Sequence, residues 1–189
     1  MPAPKARAID IFVVAEQFRF ASRLAAIAPA TDVPLFRLFP AMPTAAMACS
    51  AFSLELYFKC LIRIGSKKSL RTHDLARLFS SISRKNQSKI RRLWRENSEQ
   101  VRSDVEAFFR EASLSPPKVD FEYVLSVSRE ALVKFRYIYD GLSFNEGWLG
   151  DSIVEAARAV ILAKYPSWEN ARQAALLPKT SFGPTFQAP

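Results

Sequence analysis

Glycine is scarce in this chain, with five positions among 189, against a usual share of ~7%. Sheet-rich folds place glycine in hairpins and bulges, so the scarcity points to helices. It also excludes a glycine-rich phosphate loop, because the five glycines nowhere complete the spacing such a loop needs. A chain of 189 residues fits one domain, expected over 1–177 with a mobile tail over 178–189. That length buries roughly two thirds of the unfolded surface, so no metal or disulfide staple is required.

Hydrophobic periodicity carries the helical expectation through the chain. Residues 5–28 place Ile9, Phe12, Val13, Phe20, Leu24 and Ile27 at mostly helical spacing and end before Pro29. Residues 31–40 hold apolar pairs and two prolines, read as an extended connection. Residues 44–64 are apolar almost all round, which predicts a central helix. Thr72 is expected to cap a short helix carrying Leu75, Leu78, Phe79 and Ile82. One long helix is expected over 85–112, with Ile90, Trp94, Asn97, Val101, Val105, Phe108 and Ala112 along one stripe. Ser115-Pro116-Pro117 separates it from a helix over 119–140; 141–150 reads as a loop, and Asp151 as the cap of a helix ending at Lys164. A short helix is expected over 167–177. The fold class is all-α, an up-and-down bundle of five or six helices.

Rare residues narrow the chemistry. Cys49 and Cys60 sit eleven residues apart in one expected helix, a rise of ~16 Å, which a disulfide cannot span. Two free thiols fit a reducing cytoplasm. His73 is the only histidine, which excludes zinc sites built on several histidines, and no metal or cofactor is expected. Residues 1–14 lack the apolar core of a secretory leader. The most apolar stretch, 41–64, contains Glu55, Lys59 and Arg63, costly at mid-bilayer, so a core helix is expected and no membrane.

The net charge of +9 is concentrated. Residues 63–95 hold Arg63, Lys67, Lys68, Arg71, Arg77, Arg84, Lys85, Lys89, Arg91, Arg92 and Arg95 against one acid, Asp74. That window nets +10, leaving −1 for the rest of the chain. A solvated, solubilising face is one reading. The other is a surface for an anionic partner, RNA or DNA backbone, since self-repulsion on this scale costs stability unless something uses the field. Trp94 fits the core better than a stacking platform.

Glu55, Lys59 and Arg63 recur every four residues on the most apolar helix, so they share one face. A solvent-side ion pair is the simplest account. The apolar neighbours Leu54, Leu56, Phe58, Leu61 and Ile62 leave that account little room, and charges on a buried helix must be paired or line a cleft. His73 and Asp74 follow a short loop, which can return them toward this stripe. His73 is read either as a helix-terminal residue bonded to a carboxylate or as a general acid/base, imidazole being the side chain that changes charge near neutral pH.

The run Ser53-Leu54-Glu55-Leu56-Tyr57-Phe58-Lys59-Cys60-Leu61, then Thr72-His73-Asp74-Leu75, then Leu78-Phe79, resembles the HEPN superfamily (higher eukaryotes and prokaryotes nucleotide-binding domain). Bacterial members show E-x-x-x-K-x-L, a short loop and H-D-L-x-x-L-[FY]. Phe135-Arg136-Tyr137-Ile138-Tyr139 is similar to the aromatic-Arg-Tyr segment some members carry on a later helix. The resemblance covers residues 44–140. It implies a helical bundle, usually dimeric, and in many members a metal-independent endoribonuclease of toxin-antitoxin or defence systems.

The superfamily's hallmark is Arg, four to six residues, then His, and this chain departs from it. Arg71 is separated from His73 by one residue, Arg63 by nine, and Lys67 has the right spacing without the guanidinium. On the catalytic reading His73 is the acid/base, Lys59 and Arg136 stabilise phosphate charge, and Glu55 and Asp74 orient them. Arg136 is equally read as a helical partner of Asp140. RNA or a nucleotide is the expected ligand and a homodimer the expected assembly. The alternative is a non-catalytic module binding a nucleotide or a protein partner such as an antitoxin.

Overall fold

The computed structural model describes residues 6–27, 43–66, 69–116, 118–131, 133 and 150–171. The expected connection over 31–40, the loop over 141–149, the tail, Lys67, Lys68 and Arg136 lie outside the described residues. The chain is all-α, with no strand among the described residues. Seven helices are bounded there: α1 (Ala8–Ile27), α2 (Pro43–Ser66), α3 (Leu75–Ser80), α4 (Arg84–Asn97), α5 (Glu99–Glu111), α6 (Phe121–Val127) and α7 (Asp151–Lys164).

The apolar helix α2 is the centre, as its composition requires. Leu54, Tyr57, Phe58, Cys60, Leu61 and Ile62 are all buried on it. Helix α1 runs along it through Phe12 and Ala15, and Phe12 meets Tyr57 with ring centroids 5.9 Å apart. Helix α7 packs on α2 and α4 and buries Ile153, Val154, Ala156, Ala157, Val160 and Ile161. The stretch Ala45–Ser66 is long and apolar enough to cross a membrane by length and composition, but 61% of it is buried inside the protein. Both cysteines are free, and burial pushes the Cys60 thiol up to about 12, which makes it an inert core residue.

Helix boundaries differ from the sequence reading at four places. The stretch 85–112 is two helices broken at buried Ser98. There Asn97 Nδ2 donates to the Leu93 carbonyl at 2.8 Å, a side-chain competitor for the backbone ladder, and Asn97 is exposed rather than on the apolar stripe. Asp74, not Thr72, is the N-cap of α3: its Oδ1 accepts the Arg77 N–H at 3.0 Å, and Thr72 Oγ1 instead accepts the Asp74 N–H. Gly150 occupies the N-cap position of α7, while Asp151 lies in the first turn and accepts a hydrogen bond from Ser50. The segment after the prolines starts its helix at Phe121, capped by Asp120, and leaves regular helix at Ser128.

Helix α5 ends without glycine. Ser113 takes φ 57°, the Ser113 N–H donates to Arg110 and the Leu114 N–H to Phe109. That pairing of bonds is a Schellman motif, with serine at the left-handed position glycine usually fills.

Candidate acid/base site and basic helix

Glu55 sits in the middle of α2 and is fully buried. Among the described residues its carboxylate has two side-chain partners. Lys59, one turn on, donates from Nζ to Oε1 at 2.6 Å, and His73 donates from Nδ1 to Oε2 at 2.9 Å. A carboxylate only accepts, so the Nδ1 proton is fixed by this contact, and Nε2 is the ring nitrogen left for other chemistry. The side chains are 1% exposed for Glu55, 24% for Lys59 and 52% for His73. The charge is therefore buried at one end and presented to solvent at the other.

Local sequence explains how His73 arrives. Helix α2 runs eleven residues past Glu55 to Ser66, a rise of ~16 Å, so the chain must double back by that length. Leu70 packs on the core and buried Leu75 opens α3, pinning both ends of the return segment. The buried rings continue the anchoring: Phe58 to Phe79 at 5.5 Å, Phe79 to Phe121 at 4.9 Å and Phe121 to Trp94 at 5.6 Å.

Asp74 is drawn apart from this trio. Besides capping α3, Asp74 accepts Arg129 Nε on Oδ2 at 2.7 Å, and the same oxygen lies 2.6 Å from Nη2 in an ion pair. Partial burial works against its ionisation, but the Arg129 guanidinium and the Arg77 N–H outweigh that and hold the carboxyl below its usual range. Asp74 therefore has structural partners of its own, and Arg129 was not marked by any sequence pattern. Its partner lies 55 residues away, and only the fold reveals the pair.

The basic window divides by exposure. Arg84, Lys85, Lys89, Arg92 and Arg95 are exposed on α4, whose opposite face buries Ile90 and Trp94. Arg71 is also exposed, and Arg63 is half-buried at the end of α2. Arg91 is committed elsewhere: its guanidinium lies 4.8 Å from the Phe79 ring centre and donates to Glu122 at 2.8 Å. Trp94 is a core residue, its Nε1 buried without a hydrogen-bond partner among the described residues.

A second buried charge network escaped the sequence reading. Glu16 and Arg19 on α1 are buried. Glu16 accepts from Tyr57 and, at 2.8 Å, from Arg158 Nε. Arg19 grips Glu155 through two bonds of 2.7 Å, with Arg23 adding a third at 3.1 Å. Burial opposes ionisation of Glu155, and the arginines overcome it, so its carboxyl titrates below the ordinary range. Arg19, Arg23 and Glu155 of this network line one side of a cleft of about 400 Å³ between α1 and the start of α7. The rule that singled out Glu55, charge on an apolar helix, was the available signal for Glu16 and Arg19.

Among the described residues no group of three or more His, Cys, Asp or Glu side chains is placed to hold a metal ion. No protein-family model, curated protein or solved structure matches the chain.

Proposed function

We propose that this chain binds RNA and cleaves it as a metal-independent endoribonuclease at the Glu55–Lys59–His73 cluster. One observation carries the reading: a wholly buried carboxylate holds Nδ1 of a half-exposed imidazole, the only histidine of the chain. That contact fixes the ring's orientation and tautomer and leaves Nε2 to move a proton of the substrate. Lys59, on the same carboxylate, supplies positive charge beside the ring, suited to the developing charge of a phosphorane. The exposed cations of α4 supply sequence-independent contacts to further phosphates.

The three clustered residues are also three that carry the HEPN resemblance. On that basis the reading extends to an up-and-down bundle of five or six helices with a HEPN-like core over 44–140. It extends likewise to a homodimer acting in the cytoplasm in a toxin-antitoxin or defence system. The test is incubation of the purified full chain with labelled RNA and a chelator, beside His73→Ala. The reading expects cleavage by the wild type and a loss of ~100-fold or more in the variant; equal cleavage by both removes His73 from the chemistry. Binding without cleavage selects a non-catalytic module for RNA, a nucleotide or a protein partner such as an antitoxin. The departure from the Arg-x(4–6)-His spacing favours that second reading.

A further inference from the structure

The His73 site as read from the sequence lacks an arginine at the hallmark spacing. From the turn after α6 the fold ties one to the two residues that follow His73 in the chain. Arg129 is anchored twice: its carbonyl accepts the Leu75 N–H at 3.0 Å, and its side chain binds Asp74, the residue after His73. The Nε hydrogen bond and the Nη2 ion-pair contact both go to the single oxygen Oδ2. Among the described residues the Nη1 end of the guanidinium has no hydrogen-bond partner, and the side chain is 58% exposed. Asp74 spends its other oxygen, Oδ1, on the Arg77 N–H.

We propose that Arg129 is a substrate-binding residue of the His73 site, taking an RNA backbone phosphate through the guanidinium edge that Asp74 leaves open. The inference rests on the RNA reading above and adds a residue to it. A plain tether between the α6 turn and α3 is the competing role, and two features argue for more. A tether has no need of an exposed, pre-oriented donor edge, and planar guanidinium is the group suited to bidentate phosphate contact. The charge of the segment also favours an anion: in sequence, residues 55–77 hold six cations against two carboxylates, Glu55 and Asp74, and beside Arg129 itself stands one more, Glu130. Asp74 lowers the gain by neutralising part of the arginine, yet it removes the entropy cost of orienting a long side chain.

The experiment measures binding of a labelled single-stranded RNA by fluorescence anisotropy across a salt series, using the full chain. The variants are Arg129→Gln, Arg129→Lys and Arg23→Gln, the last removing an arginine from another surface carboxylate pair. One lost phosphate contact reduces the slope of log K against log salt by ~0.7 for a single strand, and affinity at moderate salt is expected to fall ~10-fold for Arg129→Gln. Arg23→Gln is expected to leave the slope unchanged. Arg129→Lys keeps the charge and the Asp74 pairing, so it should retain the slope and lose affinity several-fold. It carries the test if the glutamine variant does not fold. Wild-type slope and affinity in both Arg129 variants overturn this inference while leaving the RNA reading intact. A wild-type chain that binds no RNA overturns both.

Discussion

Glu55→Gln removes one charge and almost no volume from the centre of the fold, so it isolates the carboxylate. Breaking a fully buried ion pair by deleting one partner costs ~3–5 kcal/mol. Here the partners reach solvent, Lys59 at 24% and His73 at 52% exposed, and each can turn to water. The cost is therefore smaller, about 2 kcal/mol, the scale of the charge-assisted hydrogen bonds lost. For a domain of this size each kcal/mol moves the melting temperature by ~2–4 °C, which gives a loss of ~4–8 °C by circular dichroism. A companion variant guards against a trivial result. Glu55→Leu with Lys59→Met removes both charges and their desolvation cost together, and should lie within ~1 kcal/mol of the wild type. Glu55→Leu alone removes both hydrogen bonds and leaves Lys59 charged beside an apolar side chain, and should be the least stable of the three. An unchanged melting temperature in Glu55→Gln, or a double variant as unstable as Glu55→Leu alone, would refute the reasoning that Glu55 is a buried charge held by its partners.

Three further outcomes follow from the geometry. Ser113→Gly relieves a left-handed serine and should stabilise the chain by ~0.5–1 kcal/mol in urea unfolding; a loss of stability would contradict the α5 terminus. Asp74→Ala removes the α3 cap together with the Arg129 pair and should cost ~1–2 kcal/mol by the same assay, whereas Thr72→Ala should cost less. Glu155 has a folded pKa held below its unfolded value, so its contribution is full above the ordinary glutamate range. That contribution is lost as pH falls through the ordinary value toward the depressed one. Thermal unfolding from neutral to acid pH should therefore show a smaller acid loss for Glu155→Gln than for the wild type, and equal losses would contradict the Arg19–Glu155 clamp.

The sequence was most informative where one force dominates. Hydrophobic periodicity and scarce glycine were enough for an all-α chain, and the apolar surroundings of Glu55 were enough to mark it as a charge needing partners. Helix ends were less legible, because caps depend on competition among neighbouring polar side chains. Thr72 and Asp74 both suit a cap, and in the fold Asp74 takes the position. Asn97 and Ser98 carry a helix break that the apolar stripe masked. Arg91 looked like one more surface cation in a basic run, yet two aromatic rings and Glu122 hold it. Contacts between residues far apart in sequence, Asp74 with Arg129 and Arg19 with Glu155, leave no local pattern to read.

The central claim is that RNA acts at a histidine held by a buried carboxylate, and the chain's single histidine allows it to be tested without assignment ambiguity. Long-range proton–nitrogen NMR of the imidazole reads both ring nitrogens separately. The account expects the neutral ring to carry its proton on Nδ1, a loss of that preference in Glu55→Gln, and a shift of the Nε2 signal when a short single-stranded RNA is added. A ring protonated on Nε2 in the neutral form, or signals that stay fixed while RNA binds, would contradict it.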